Sequence, residues 1–245
     1  MKKKTWGKYF AIVASALFTL CLISPEVTAA GLFGAPQTVS REAGGLNTAI
    51  GYRYHEDTYE KGSALEFRQN EIYSQASYGV RNILEIYGRV GISDLKIADV
   101  FRENETFFTT LGAKAFYPIN AKVGMGAFIQ GTYYLNDFTD KVGRRTEIKV
   151  EDLWDVHVGV ALQATLACGT KLYAGPYLYY SEAELLLSSG VSDLGYAAGN
   201  FSIQNKSVAG GFAGLDIPLA KGFRLNVEGQ YADRFSAGAA ISYTY

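Results

Sequence analysis

From about residue 45 onward, apolar or aromatic residues alternate with polar or small ones, in runs separated by turn-forming residues. A period of two puts successive side chains on opposite faces of a strand, so each run predicts a β-strand with one apolar face. Phe235 to Tyr245 is the plainest run. Phe235, Ala237, Ala239, Ile241, Tyr243 and Tyr245 share one face, and Ser236, Gly238, Ala240, Ser242 and Thr244 the other. The run around Trp154 to Leu166 is as regular, with Trp154, Val156, Val158, Val160 and Leu162 opposing Asp155, His157, Gly159, Ala161 and Gln163.

Read this way, the chain predicts ten antiparallel strands: Gly45 to His55, Leu65 to Val80, Ile83 to Ile97, Thr106 to Tyr117, Ala121 to Leu135, Ile148 to Ala167, a seventh ending near Leu186, an eighth from about Asn200 to Pro218, Phe223 to Tyr231, and Phe235 to Tyr245. Eight strands is the alternative. Runs this long, joined by turns, suit an all-β, closed antiparallel transmembrane barrel, in which no strand edge is left open to lipid. Short connections at Arg81-Asn82, Pro118 to Asn120, Cys168 to Thr170 and Leu219 to Gly222 alternate with longer ones at Glu56 to Ala64, Ala98 to Glu105, Asn136 to Thr146 and Leu187 to Asn200. Barrels of this kind keep short turns in the periplasm and longer loops outside.

That orientation sorts the apolar-face aromatics into two membrane-interface girdles. Tyr52, Tyr54, Tyr133, Trp154, Tyr180, Tyr231 and Phe235 fall at the outer end, and Tyr78, Tyr117, Phe223, Tyr243 and Tyr245 at the periplasmic end. The opposite face puts a polar network in the lumen: Arg53, Glu71, Glu85, Arg89, Lys114, Asp155, His157, Arg224 and Glu228, with Lys122, Lys171, Tyr73, Tyr87, Tyr173, Tyr177 and Gln230 among them. Large side chains of both signs in a narrow barrel are expected to fill it.

Composition agrees with the strand reading, since 18 Tyr, 14 Phe and 27 Gly are far from a helical composition. The N-terminus differs from the rest. Lys2, Lys3, Lys4 and Lys8 precede an uncharged apolar stretch from Tyr9 to Ile23, and Ser24 to Ala30 ends in small residues, the pattern of a secretory signal peptide spanning residues 1–29. Its removal takes four Lys and one Glu and would move the net charge from −1 to −4. Cys21 would leave with it, so Cys168 alone would remain and no internal disulfide could form. Residues 30–43 read as a short periplasmic leader or a small plug, and residues 44–245 as the barrel domain. Beyond the signal no apolar stretch is long enough for a transmembrane helix.

The terminal strand, closing on Tyr245, resembles the C-terminal strand of bacterial outer-membrane β-barrels. With the periodicity and the Gly214-Leu-Asp-Ile-Pro-Leu219 approach to a turn, residues 44–245 resemble an OmpA-like or small porin-like barrel. The resemblance implies an outer-membrane location after export, insertion by the barrel-assembly machinery through the C-terminal strand, and contact with outer-membrane lipid and lipopolysaccharide. A monomer is expected, with no cofactor, metal or nucleic acid. The expected role is structural or interactive, with a side-chain-filled lumen and modest outer loops. A small pore for ions or solutes is the alternative. A lower alternative is an outer-membrane hydrolase or lipid A-modifying enzyme, because the spacing of Asp155 and His157 resembles half of the omptin protease site and a carboxylate can orient a histidine base. No Asp-x-Asp pair accompanies it, so a non-enzyme is expected.

Overall fold

The computed structural model describes residues 33–38, 45–61, 63–80, 83–97, 101–142, 146–188, 197–220 and 222–245. The signal peptide and the Arg81-Asn82 turn lie outside these residues. Among the described residues twelve antiparallel strands form one sheet: β1 (Leu46–Lys61), β2 (Ser63–Val80), β3 (Leu84–Ile97), β4 (Phe101–Pro118), β5 (Val123–Tyr134), β6 (Phe138–Val142), β7 (Thr146–Thr165), β8 (Lys171–Leu187), β9 (Gly199–Asn205), β10 (Ala209–Pro218), β11 (Phe223–Tyr231) and β12 (Phe235–Thr244). Ten of them close a barrel in the order β1-β2-β3-β4-β5-β7-β8-β10-β11-β12, and β12 pairs back onto β1 from Asn47↔Thr244 to Tyr54↔Ala237. Among the described residues no helix is long and apolar enough to cross a membrane.

The outer wall of this ten-stranded section carries an apolar band of exposed side chains, including Ile50, Ile72, Val90, Leu111, Ile129, Val160, Leu178 and Ile241. A soluble barrel would bury these residues, so the band is the surface that meets lipid. Tyr133 pairs with Trp154 and Tyr231 with Phe235 at one rim, and Phe223 with Tyr243 at the other, which also carries Tyr78, Tyr117 and Tyr245. Tyr52, Tyr54 and Tyr180 complete the first rim on the same outward face.

Beyond that rim the strands continue where loops are expected. β1 and β2 run on as a ladder from Glu56↔Arg68 to Lys61↔Ser63 in place of the expected Glu56 to Ala64 loop, and β3 and β4 extend to Ile97↔Phe101 in place of most of the Ala98 to Glu105 loop. The expected Asn136 to Thr146 loop contains β6, which pairs with β7, and the expected eighth strand is two strands, β9 and β10. β9 stands outside the membrane section and bridges β8 to β1 through Ala183↔Ile203 and Tyr59↔Asn205. The result is a β-tower that continues the barrel beyond this rim.

The tower has its own core. Leu65, Phe67, Leu95, Ile97, Phe101, Phe138, Ile148, Val150, Leu153, Leu185 and Ile203 point inward and are at most 3% exposed. Two bulges make this possible. In β4, Glu103 and Thr106 are three positions apart while their β3 partners, Leu95 and Ser93, are two apart, and in β7 the register shifts between Glu151 and Trp154, with Asp152 at φ 50°. An extra residue flips every later side chain to the other face. Strict alternation from Asp155 would send Ile148 and Val150 outward, and the bulge turns them into the core.

Candidate functional site: the lumen and its plug

The lumen below the tower is polar and aromatic. Arg53, Glu71, Glu85, Arg89, Lys114, Asp155, His157 and Glu228 are buried inside it, and Arg224 lies half-buried near the short-turn end. Lys171, Tyr73, Tyr87, Tyr173, Tyr177 and Gln230 also face inward. Lys122 does not: it is exposed in the turn before β5, where its N–H donates to Asn120 Oδ1. Large lumenal rings lie over strand glycines. A Cβ on Gly112 would stand 2.3 Å from the Tyr87 ring, and one on Gly214 2.3 Å from the Tyr173 hydroxyl, so both places require a residue without a side chain.

Three clusters organise the polar side chains. Nearest the tower, Arg53 Nη1 lies 3.4 Å from Glu71 Oε2, and the Tyr134 hydroxyl donates to Glu71 Oε1 at 2.6 Å. Beside them His157 stacks flat on Tyr179, at 5.5 Å between ring centroids, and His55 Nδ1 meets Ser236 Oγ at 2.9 Å. His157 Nδ1 is 3.1 Å from Asp155 Oδ1, but neither atom makes a well-directed hydrogen bond. Mid-lumen, Arg89 lies 5.0 Å from the ring centroids of both Tyr73 and Tyr87 and donates through Nε to Gln75 Oε1 at 2.6 Å. At the short-turn end, Arg224 Nε lies 2.8 Å from Asp216 Oδ1, Lys171 Nζ 3.5 Å from Asp216 Oδ2, and Lys114 Nζ 3.8 Å from Glu85 Oε1.

Residues 33–38 lie inside the barrel as a plug. Phe33 stacks on Phe128 at 4.1 Å and meets Phe212 edge-on at 5.0 Å, between the histidine cluster and the short-turn end. Glu228 holds the segment: the Phe33 and Gly34 N–H groups donate to its two oxygens at 3.0 and 2.9 Å, while Gln230 Nε2 and the Tyr173 hydroxyl approach at 2.8 and 2.9 Å. Gly34 has φ +74°, a left-handed conformation that favours glycine and turns the chain at this point. Gln37 and Gln163 exchange two further bonds, at 3.1 and 3.2 Å.

At the base of the tower, above the Tyr54 rim, Asp57 is buried. Its Oδ1 accepts from the Tyr179 hydroxyl at 2.7 Å and from the Thr58 N–H at 2.8 Å, while Oδ2 has no partner. Burial pushes its carboxyl up from 3.8 to about 7, against the lowering effect of those two bonds, with Asp233 adding to the rise.

The translocator domain of the autotransporter NalP from Neisseria meningitidis is similar to the chain at 11% identity and TM-score 0.50, over 82% of this chain and 89% of that one. The fold is that of an outer-membrane β-barrel. The COG4313 outer-membrane channel from Pseudomonas putida F1 aligns at 10% identity and TM-score 0.48, over 91% of this chain and all of that one. No family model and no curated protein matches the chain.

The polar lumen and the girdles follow from alternation alone. The tower core does not, because alternation breaks at the bulges. Its signal is nonetheless in the sequence, as four apolar pairs at spacing two beyond the outer girdle: Leu65/Phe67, Leu95/Ile97, Ile148/Val150 and Leu185/Leu187.

Proposed function

We propose that the protein is a closed outer-membrane barrel of structural or interaction type, which presents its β-tower at the cell surface and does not conduct through its lumen. The observation that carries this reading is the tower interior, where a cluster of large, buried apolar side chains lies beyond the outer girdle. An ion entering that core would lose most of its hydration to a largely apolar lining. The plug adds a second barrier in series. In this reading the short-turn end faces the periplasm, and the chain reaches the outer membrane after export directed by residues 1–29. It inserts through its C-terminal strand with the barrel-assembly machinery and works as an OmpA-like monomer among lipid and lipopolysaccharide.

We further propose that the lumen is not catalytic. Asp155 and His157 lie between the plug and the tower, 6% and 2% exposed, which leaves a substrate no approach to them. Planar-bilayer recording on the refolded full chain tests the main reading. Incorporation without current steps is expected, and a large, steady conductance from the wild-type protein would overturn it in favour of a small pore.

A further inference from the structure

The closed-barrel role leaves one feature unused. At the short-turn end the lumen widens into a cavity of about 400 Å³, open toward the turns and ending on Phe33 and Gly34 of the plug. That volume falls within the range of small-molecule sites. Its wall carries four cationic side chains, Arg89, Lys114, Lys171 and Arg224, against two carboxylates, Glu85 and Asp216. Among the described lining residues this is an excess of two positive charges.

Pairing within the wall does not remove the excess. Asp216 serves both Arg224 and Lys171, at 2.8 and 3.5 Å, and Glu85 lies 3.8 Å from Lys114. The next carboxylate inward, Glu228, is outside the wall and turned to the plug N–H groups. The side chains of Lys114, Lys171 and Arg224 keep 10%, 15% and 24% of their surface exposed, so their charge reaches the cavity. Arg89 is held against two tyrosine faces, and Asn226 and Ser242 supply neutral polar groups on the same wall. A concave, low-dielectric wall with one sign in excess concentrates the opposite charge.

We propose that this vestibule binds a small, multiply negative solute carrying carboxylate or phosphate groups, captured from the periplasmic side and held against the plug. The proposal rests on the closed-lumen reading only in that the plug makes the site blind. Removing one wall charge about 6 Å from the ligand weakens binding between about threefold, with bulk-water screening, and about a hundredfold, at an effective dielectric near 20. The full-length protein in detergent would be titrated by calorimetry at low salt with citrate, with inorganic pyrophosphate and with sorbitol as a neutral control. One-site binding of at least one anion and none of sorbitol is expected, and the stronger anion identifies the preferred group. Binding should weaken as salt rises. Lys114→Gln and Lys171→Gln should each weaken it about tenfold, while Lys149→Gln, on the tower, should leave it unchanged.

Heat-modifiable gel migration confirms that each variant is folded. If the lysine variants do not fold, Ser242→Cys in a Cys168→Ser background replaces them. That thiol should react faster with an anionic than with a cationic methanethiosulfonate, and citrate or pyrophosphate should slow the reaction. The proposal is overturned if neither anion binds at millimolar concentration, if both lysine variants bind as the wild type does, or if the cationic reagent reacts at least as fast. An acidic peptide that binds where both small anions fail would also overturn it. A conducting wild type would end the closed-lumen reading and leave the anion titration standing, so the two failures are distinguishable.

Discussion

Replacing Glu228 with Gln keeps the side chain's volume and leaves the packing of Phe33 against Phe128 and Phe212 in place. It removes the negative charge and changes the hydrogen bonding. In the wild type the Phe33 N–H, the Gly34 N–H and Gln230 Nε2 all donate to the carboxylate, at 3.0, 2.9 and 2.8 Å. A glutamine offers one accepting oxygen, and its NH₂ must face at least one of these donors. One plug N–H then loses its acceptor inside the barrel, at a cost of about 1–3 kcal/mol, and the remaining bonds lose the strengthening that a charged acceptor gives, for a total of about 2–4 kcal/mol. At about 1.4 kcal/mol per factor of ten, the plug amides should exchange with solvent about 30 to 1000 times faster. Hydrogen exchange followed by mass spectrometry, on protein in detergent, reads this from a peptide containing Phe33 and Gly34. A peptide from the β1–β12 seam, where Arg53 pairs with Gly238, is the internal control and should keep its rate. If the plug amides of the variant exchange at the wild-type rate, Glu228 does not hold the segment and the plug is retained by aromatic packing alone.

Three further outcomes follow from the same structure. Because the Asp57 carboxyl is raised to about 7 from 3.8, folding favours its protonated form; its contribution is full below about pH 4, declines as pH rises through 7, and amounts to roughly 4 kcal/mol in all. Asp57→Asn, which keeps an acceptor for Tyr179 and Thr58, should therefore raise the urea midpoint relative to wild type at pH 9 and not at pH 4; an equal shift at both would contradict the burial argument. Leu185→Asp places a charge in the fully buried tower core and should destabilise by more than about 4 kcal/mol, while Leu186→Asp, on the opposite face, should move the urea midpoint little; equal effects would mean that the strand phase is misassigned. Gly175→Ala would bring a Cβ within 1.8 Å of the Val160 carbonyl oxygen, a backbone atom that cannot yield without parting β7 from β8, whereas at Gly131 the nearest atoms stand 3.7 Å away. Gly175→Ala should lose the compact unboiled gel band and Gly131→Ala should keep it.

What the sequence discloses about this fold depends on whether local alternation carries the information. From Trp154 to Thr165 and from Phe235 to Thr244 each residue's face can be read from its neighbours, because lipid on one side and a polar lumen on the other enforce a period of two. For that reason Arg53, Glu71, Lys114, Asp155 and Glu228 are legible as lumenal. Above the outer girdle the environment inverts. The outside of the tower meets water and its inside is apolar, so a strand that keeps its phase must exchange polar for apolar on the inward face, as β3 does between Ser93 and Leu95. β4 and β7 instead insert a residue, and each insertion hides the change from a period-two reading. The plug is opaque for another reason. Phe33 and Gly34 have no periodic context, and their partner, Glu228, is 195 residues from Phe33 in sequence, so only closure of the barrel brings the two together. Whether the barrel is open or closed is thus decided at the two places that alternation cannot reach. Exchange at Phe33 and the stability difference between Leu185 and Leu186 variants address them directly, and neither depends on knowing what the tower meets.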